Sequence, residues 1–273
     1  MVDNTDNPIG IFDSGVGGMT VLRALLERLP GESYRFLGDT ARLPYGTKGA
    51  STIIEYTLKA AGKLVDMGPV KMLVVACNTA SSVALPALRN RFPHIPVVGV
   101  IKPGARAAVQ ASSSGHIVVL ATEATVRGGA YVDAIHALKP EARIQSRACT
   151  LFVSLAEEGW LEGDVVEGVV RRYIGELFAC EDKPDTLLLG CTHFPLLQKA
   201  IANVVGPDVA IVDSARTTAE AVAEILETQG MAAQGKKGSV RFMATDNVRR
   251  FAATGGLFLG RKLDEKDVEL VDI

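Results

Sequence analysis

The chain has 273 residues, of which 48% are hydrophobic and 22% charged, so it can bury one large core or two smaller ones and carries no signature of disorder. Its net charge of −2, with no basic stripe, argues against a nucleic-acid surface, and no apolar run approaches the roughly 18 residues of a membrane span. Residues 1–6 are polar and acidic, unlike a signal peptide, so the expected location is the cytoplasm.

The first apolar run, 8–12, predicts a strand. It hands over to Asp13-Ser14-Gly15-Val16-Gly17-Gly18, and a helix over 21–28 comes next, stopped by Pro30-Gly31. Strand, glycine-rich turn and helix form an anion-binding arrangement, although a plain tight turn has the same pattern. The Gly-x-Gly-x-x-Gly order is absent, which disfavours NAD. A second strand, 34–39, leads into 40–49, which has too little periodicity for a helix. That segment is expected to be a loop in which Pro44, Tyr45 and Gly46 place an aromatic hydroxyl near a ligand. Ile54, Leu58, Ala61, Leu64 and Val65 predict a helix over 51–67, ended by Gly68-Pro69. The run 73–76 reads as a buried strand closed by Cys77. Small polar residues 78–82 come after it, then a helix over 83–92 in which Pro86 marks a kink or a shifted boundary.

Residues 97–101 predict a strand and 105–111 a short helix. A new strand over 116–121 is followed by Thr122-Glu123-Ala124-Thr125 and a helix through 129–138, repeating the pattern of 8–22. The strand–helix series therefore restarts, implying two like-folded halves. Further strands are expected at 144–149, 186–190, 209–213 and 239–244. Helices are expected at 151–159, 165–178, 196–204, 215–228 and 247–253, the last followed by Gly255-Gly256, with a polar loop over 229–238. The fold class is α/β: parallel sheets covered on both faces, with strand carboxyl ends meeting on a shared cleft.

No two of the four cysteines form a C-x-x-C pair, which argues against a zinc knuckle or a thioredoxin-type site. Cys149 and Cys180 read as small buried residues. Cys77 and Cys191 differ, because each closes an apolar strand at a strand-to-helix turn, where ligands bind in α/β proteins. Asp13, Ser14, Tyr45, Asn78, Thr79, Thr122, Thr192 and His193 occupy equivalent positions, and such small polar groups suit a carboxylate and an ammonium. No lysine is placed for a P-loop or a PLP Schiff base. Two thiols on opposite faces of a small acid suggest stereoinversion, one thiolate removing a proton from carbon and the other thiol returning one. A free thiol is only about 3% ionised at pH 7, and a helix N-terminus or a histidinium raises that fraction. His193 is the candidate for this work beside Cys191, Asp13 serves Cys77, and Glu157 orients a group on the far side. The plainer alternatives are a strand-end histidine and a solvated helix carboxylate.

The runs Gly10-Ile11-Phe12-Asp13-Ser14-Gly15-Val16-Gly17-Gly18, Gly38-Asp39-Thr40-Ala41-Arg42-Leu43-Pro44-Tyr45-Gly46, Ala76-Cys77-Asn78-Thr79-Ala80-Ser81, Thr122-Glu123-Ala124-Thr125 and Leu189-Gly190-Cys191-Thr192-His193-Phe194-Pro195-Leu196 resemble, in order, the glutamate racemases of the cofactor-independent aspartate/glutamate racemase superfamily. The resemblance implies interconversion of L- and D-glutamate for peptidoglycan synthesis, with no cofactor and no metal. It implies Cys77 and Cys191 as the two bases, assisted by Asp13, His193 and Glu157. Substrate contacts fall on Asp13, Ser14, Tyr45, Gly46, Asn78, Thr79, Thr122, Thr192 and His193. It further implies a homodimer and two α/β domains about a pseudo-twofold axis, residues 1–100 with 210–273 forming one and 101–209 the other, with the active site between them. The sequence departs from the family pattern at Thr150 after Cys149, at Ser154-Leu155-Ala156 before Glu157, and at Lys102, Ala121 and Gly128. Competing readings are a racemase of aspartate or another acid, a non-catalytic small-acid binding protein, and a thiol hydrolase with a single nucleophilic cysteine.

Overall fold

The computed structural model describes residues 5–234 and 237–273. The chain opens with β1 (Ile9–Asp13), α1 (Met19–Arg28) and β2 (Tyr34–Gly38). Two single 3₁₀ turns (Thr40–Arg42 and Tyr45–Thr47) lead to α2 (Ala50–Asp66), β3 (Met72–Val75), α3 (Asn78–Val83), α4 (Leu85–Arg91), β4 (Val97–Gly99) and α5 (Ile101–Ala111). A second series begins with β5 (His116–Ala121), α6 (Glu123–Gly128), α7 (Ala130–His136), β6 (Arg143–Ala148), α8 (Thr150–Glu157) and α9 (Asp164–Val170). A π turn (Arg171–Gly175) carries α9 into α10 (Glu176–Phe178). After β7 (Thr186–Gly190) come a 3₁₀ turn (Phe194–Leu197), α11 (Gln198–Val205), β8 (Ala210–Asp213) and α12 (Ser214–Thr228). Then β9 (Val240–Ala244), α13 (Val248–Leu259) and β10 (Val268–Leu270) close the chain. No helix among the described residues is long and apolar enough to cross a membrane.

The strands form two sheets, ordered β10-β9-β2-β1-β3-β4 and β6-β5-β7-β8, and the pairings among the described residues are parallel. Each sheet contains the same four-strand order, with β1 matching β5 and β3 matching β7. The restarted series seen in the sequence is thus a repeated topology. β1, β3, β5 and β7 are buried along their whole length, because helices cover both faces of each sheet. Strand alternation divides the cores. Ile9, Ile11 and Val74 face α1, α12 and α13, whereas Phe12, Leu73 and Val75 face α2 and α4. In the second sheet Val118 and Leu187 face α8, α9 and α11, whereas Val119 and Leu188 face α5 and α7.

Several elements differ from the sequence expectation. The resemblance implies that residues 210–213 join the first domain. In the structure β8 pairs with β7, so the return to the first sheet runs through α12, which packs on both α1 and α5. The helix after Cys77 begins at Asn78 rather than at 83, and Pro86 occupies the first turn of α4, where a missing N–H is harmless. The 40–49 segment holds two 3₁₀ turns instead of plain loop. Helix α13 continues through Gly255-Gly256 and stops at Gly260, whose φ is +73°. A β-carbon at Gly255 would stand 2.6 Å from Met19 Cε, so glycine there permits close packing of α13 on α1. Cys180 is exposed just beyond α10, while Cys149 is buried as expected. Strand β10 has only three residues and no pattern announced it. Of the 229–238 loop, residues 235 and 236 lie outside the described residues, as do residues 1–4 of the polar N-terminal segment.

At the end of the first sheet away from the strand carboxyl ends, Lys71 and Glu32 form a buried ion pair, their side chains 0% and 3% exposed. Lys71 Nζ also donates to the carbonyls of Thr5 (2.6 Å) and Met231 (2.8 Å), and the Ala233 N–H donates to Glu32 Oε1 (2.8 Å). One ammonium thus fastens the entry to β1 and the exit from α12. Lys71→Met strands the Glu32 carboxylate and is expected to lower unfolding free energy by about 3–5 kcal/mol. The double variant Lys71→Met/Glu32→Gln should recover part of that loss. Urea denaturation checks both, and a double variant no more stable than Lys71→Met would refute the ion-pair account.

Candidate active site

The carboxyl ends of β1, β3, β5 and β7 bring the two halves of the chain together. At the first pair, Asp13 ends β1 and Cys77 lies two residues beyond β3. Cys77 caps α3, its Sγ accepting from the Ala80 N–H at 3.4 Å and donating to Ser14 Oγ at 3.3 Å. Asp13 Oδ2 accepts the Gly15 N–H at 2.9 Å, while Asp13 Oδ1 is buried without a hydrogen-bond partner among the described residues. Burial pushes the Asp13 carboxyl above its ordinary value, against the N–H groups of Gly18, Gly15 and Ser14 and the charge of His193. Burial, then the Asp13 charge, push the Cys77 thiol up to about 12, and the Cys191 charge adds to this, so the two thiols lie within electrostatic reach of each other.

The second pair is built differently. Cys191 comes directly after β7, its Sγ 3.8 Å from His193 Nδ1. His193 Nε2 meets Glu157 Oε1 at 3.2 Å, and Glu157, at the end of α8, faces Arg250 of α13 at 3.7 Å. The imidazole packs edge-on to Phe258, with ring centroids 5.0 Å apart. Burial opposes a charge on His193, but the hydrogen bonds and charges of Cys191 and Glu157 outweigh it and push the imidazole up to about 10. In return the His193 hydrogen bond holds the Glu157 carboxyl below its ordinary value. One thiol therefore sits beside a carboxyl group and the other beside an imidazolium, the counter-ion a thiolate needs.

Contacts across the cleft lock these turns together. Thr20 Oγ1 shares its one hydrogen between the Gly17 carbonyl (2.9 Å) and the Thr192 carbonyl (3.1 Å), and a β-carbon at Gly17 would fall 2.5 Å from His193 Cε1. Asn78 Nδ2 donates to the Tyr131 hydroxyl at 2.7 Å, leaving Asn78 Oδ1 buried and without a hydrogen-bond partner among the described residues. Thr79 Oγ1 lies 2.9 Å from Thr122 Oγ1. The site thus holds two thiols, two unpaired buried acceptors and several small hydroxyls, a set suited to a zwitterion whose carbon must exchange a proton. Among the described residues no three His, Cys, Asp or Glu side chains gather as a metal-ligand set.

Residues 9–222 match the model of the Asp/Glu/hydantoin racemase family. The chain belongs to that family. It is 47% identical over 258 residues to a glutamate racemase of Geobacter metallireducens, an alignment covering 94% of each chain. Among solved structures it matches a glutamate racemase isoform of Bacillus anthracis with a TM-score of 0.92 at 35% identity, and one of Francisella tularensis in complex with D-glutamate with a TM-score of 0.90 at 34% identity; both matches cover 98% of each chain. The protein is an amino-acid racemase, and so an isomerase.

In this racemase the structure gathers Asp13, Ser14, Cys77, Asn78, Thr79, Thr122, Cys191, Thr192, His193 and Glu157 at the facing strand ends. The Tyr45 hydroxyl donates to Asp39 Oδ2 at 2.6 Å and its ring is buried against Phe12 and Tyr56, so the hydroxyl is already engaged within the first half of the chain. Gly46 does reach the site: a β-carbon there would touch Thr122 Cβ at 3.0 Å. Sequence reasoning missed Thr20, Thr125, Tyr131, Arg250 and Phe258. Only Thr125 left a local signal, standing three residues after Thr122 and hence on the same face of a helix start.

Two outcomes are expected. Tyr45→Phe should leave KM unchanged and lower stability by about 1.5–3 kcal/mol, the scale of a hydrogen bond to a charged group; a changed KM with unchanged stability would contradict this placement. Glu157→Gln should lower the His193 pKa from about 10 by roughly one to three units, read by NMR titration of the imidazole. The pair also gives stability a pH dependence of definite sign. His193, raised from 6.5, stabilises the fold fully below 6.5 and loses that contribution as pH rises through about 10. Glu157, lowered from 4.5, stabilises fully above 4.5 and loses that contribution as pH falls through its lower folded value. The pair therefore contributes most between these two ordinary values, and Glu157→Gln should flatten stability on both sides of that window.

Proposed function

We propose that this racemase interconverts L- and D-glutamate, with Cys77 and Cys191 as the two bases and no cofactor. The observation that carries the mechanism is the pair of buried thiols at matched strand ends, each with a different partner: Ser14 and Asp13 for Cys77, His193 and Glu157 for Cys191. The choice of glutamate is supported by the near full-length likeness to proteins of that name and by the D-glutamate held in the Francisella tularensis structure.

In the proposed reaction one thiolate takes the α-proton, so that an S–H bond forms as the Cα–H bond breaks. The thiol on the opposite face then gives up its proton to the planar carbanion, regenerating a Cα–H bond of inverted hand and a thiolate. Protons balance, and the two sulfurs exchange protonation states over one turnover. At rest burial and the Asp13 charge favour the protonated form of Cys77, while the His193 imidazole, pushed up to about 10, faces Cys191. The substrate ammonium goes to the unpaired oxygens Asp13 Oδ1 and Asn78 Oδ1. Its carboxylates go to the hydroxyls of Ser14, Thr79, Thr122 and Thr192 and to the backbone at Tyr45-Gly46. The proposal extends to a cytoplasmic homodimer that supplies D-glutamate for peptidoglycan, in keeping with the bacterial sources of the relatives.

Purified protein incubated with L-glutamate in D₂O is expected to lose optical activity while deuterium enters the α-position, followed by circular dichroism and proton NMR. Cys77→Ser and Cys191→Ser should each lower turnover by about 10²–10⁴-fold, the scale of a lost acid/base group. Exchange with aspartate but not glutamate would keep the mechanism and change the substrate. No exchange with any acid, or full activity without one cysteine, would overturn the two-base reading.

A further inference from the structure

Three large apolar side chains stay exposed at one place on the surface beyond Glu157. Trp160 is 56% exposed and Val165 60% where α8 passes into α9, and Leu257 is 39% exposed on α13. The turn after α8 and the helix α13 are neighbours: a β-carbon at Gly159 would stand 3.9 Å from Leu257 Cδ2, and Arg250 of α13 faces Glu157 at 3.7 Å. Arg249, Ala253 and Leu257 recur every four residues along the outer face of α13, and Arg261 follows one step on, past Gly260. Beside Leu257 the helix leaves an open hollow of about 660 Å³, walled by Ala253, Gly256, Gly260 and the two arginines, Arg249 and Arg261.

The charges around these residues are sorted by element. Glu158 and Asp164 bracket Trp160 in the turn, whereas Arg249 and Arg261 flank Leu257 on the helix, and all four are exposed. Their neighbours Glu162 and Arg250 are paired, with Lys199 and Glu157, but among the described residues none of these four has an ion-pair partner. An apolar patch rimmed by charge is the anatomy of a protein interface. Here the two signs lie on adjacent elements of one molecule, so the surface complements itself. Turned about a two-fold axis near Gly159 and Leu257, the turn of one copy falls on α13 of the other, twice over. Trp160 then enters the hollow beside Leu257 with its ring against guanidinium groups, and the acids of each turn meet the arginines of the facing helix.

We propose that this face joins two copies of the chain, the Trp160 turn of each copy seated on α13 of the other. The inference deepens the homodimer of the proposed function by giving it a surface; it rests on that dimer and not on the reaction. A closed pair follows rather than an open series of copies, because one face supplies both halves of the contact.

Trp160 is the only tryptophan of the chain, so its emission reports this face alone. Sedimentation velocity of the full chain over a dilution series should show a monomer–dimer equilibrium, with the Trp160 emission moving to shorter wavelength as dimer forms. Trp160→Ala and Leu257→Asp should each raise the dimer dissociation constant about tenfold or more, the scale of a lost interface anchor. Reversing the charges of one element alone sets like against like. Arg249→Glu/Arg261→Glu and Glu158→Lys/Asp164→Lys should therefore each stay monomeric at concentrations where the wild type is dimeric. Mixed in equal amounts, these two variants place acid against base at both contacts, and they should form a heterodimer within about threefold of the wild-type affinity. Recovery on mixing shows at the same time that both variants are folded. A wild-type chain that is monomeric at every concentration would overturn the dimer and this face together. A dimer that none of the substitutions weakens, or whose Trp160 emission is unmoved by dilution, would overturn the face and leave the dimer standing. Weakened variants that do not recover on mixing would overturn the pairing of turn with helix.

Discussion

Close contact between two turns from different sheets is the constraint on which the site depends. The turn after β1 lies directly against the Cys191-Thr192-His193 turn after β7, and only the missing side chain of Gly17 makes room: a β-carbon there would overlap Thr192 Oγ1 and fall 2.5 Å from His193 Cε1. Real β-carbons do not approach other atoms that closely, so any larger residue would push the two turns apart. The Thr20 hydroxyl fixes the approach by donating to the Thr192 carbonyl. With the turns held in this way, the groups behind them, Asp13 with Cys77 and His193 with Cys191, come within electrostatic reach of one another. The matched order β2-β1-β3-β4 and β6-β5-β7-β8 supplies the rest, because it places a strand end with a cysteine beside the central strand of each sheet.

A repeated topology would by itself give two equivalent thiols. The electrostatics break that equivalence. On one side, burial and the Asp13 charge push the Cys77 thiol up; on the other, the hydrogen bonds and charges of Cys191 and Glu157 outweigh burial and push the His193 imidazole up. The difference arises from the source of each carboxylate. The first half supplies Asp13 at the end of β1, whereas the second half recruits Glu157 from α8, a helix that ends at the site. Two groups of the same chemical type thus have different surroundings, a hydroxyl and a carboxyl group for Cys77 and an imidazole for Cys191.

Much of this was legible from the sequence, and the reason is positional. Strand-to-helix turns in α/β proteins show as an apolar run, then small polar residues, then helical periodicity, so Asp13, Ser14, Cys77, Asn78, Thr79, Thr122, Cys191, Thr192 and His193 announced themselves. The features that stayed hidden depend on packing between elements distant in the chain. The turn of the Tyr45 hydroxyl toward Asp39 is set by the aromatic stack on Phe12 and Tyr56, which periodicity does not report. The continuation of α13 through Gly255-Gly256 comes from its approach to Met19, although glycine weighs against helix locally. Residues 210–213 were expected in the first domain, and only their pairing with β7 places the strand in the second sheet. Tyr131, Arg250 and Phe258 touch site residues from other elements and stand in stretches with no local mark.

The unpaired atoms close the physical account. A buried acceptor without a donor destabilises a fold by about 1–3 kcal/mol, so such atoms are usually paired. At the far end of the first sheet, where the chain needs only to hold together, Lys71 and Glu32 satisfy one another and three backbone groups besides. At the strand carboxyl ends Asp13 Oδ1 and Asn78 Oδ1 are left without partners, even though donors crowd the same turns. Tyr131 could have met the Asn78 oxygen; instead it takes the amide nitrogen and leaves the oxygen free for the cleft. Among the described residues, the acceptors that meet neither a counter-ion nor a donor thus stand at the strand carboxyl ends beside the two thiols, whereas at the far end the Glu32 carboxylate faces the Lys71 ammonium.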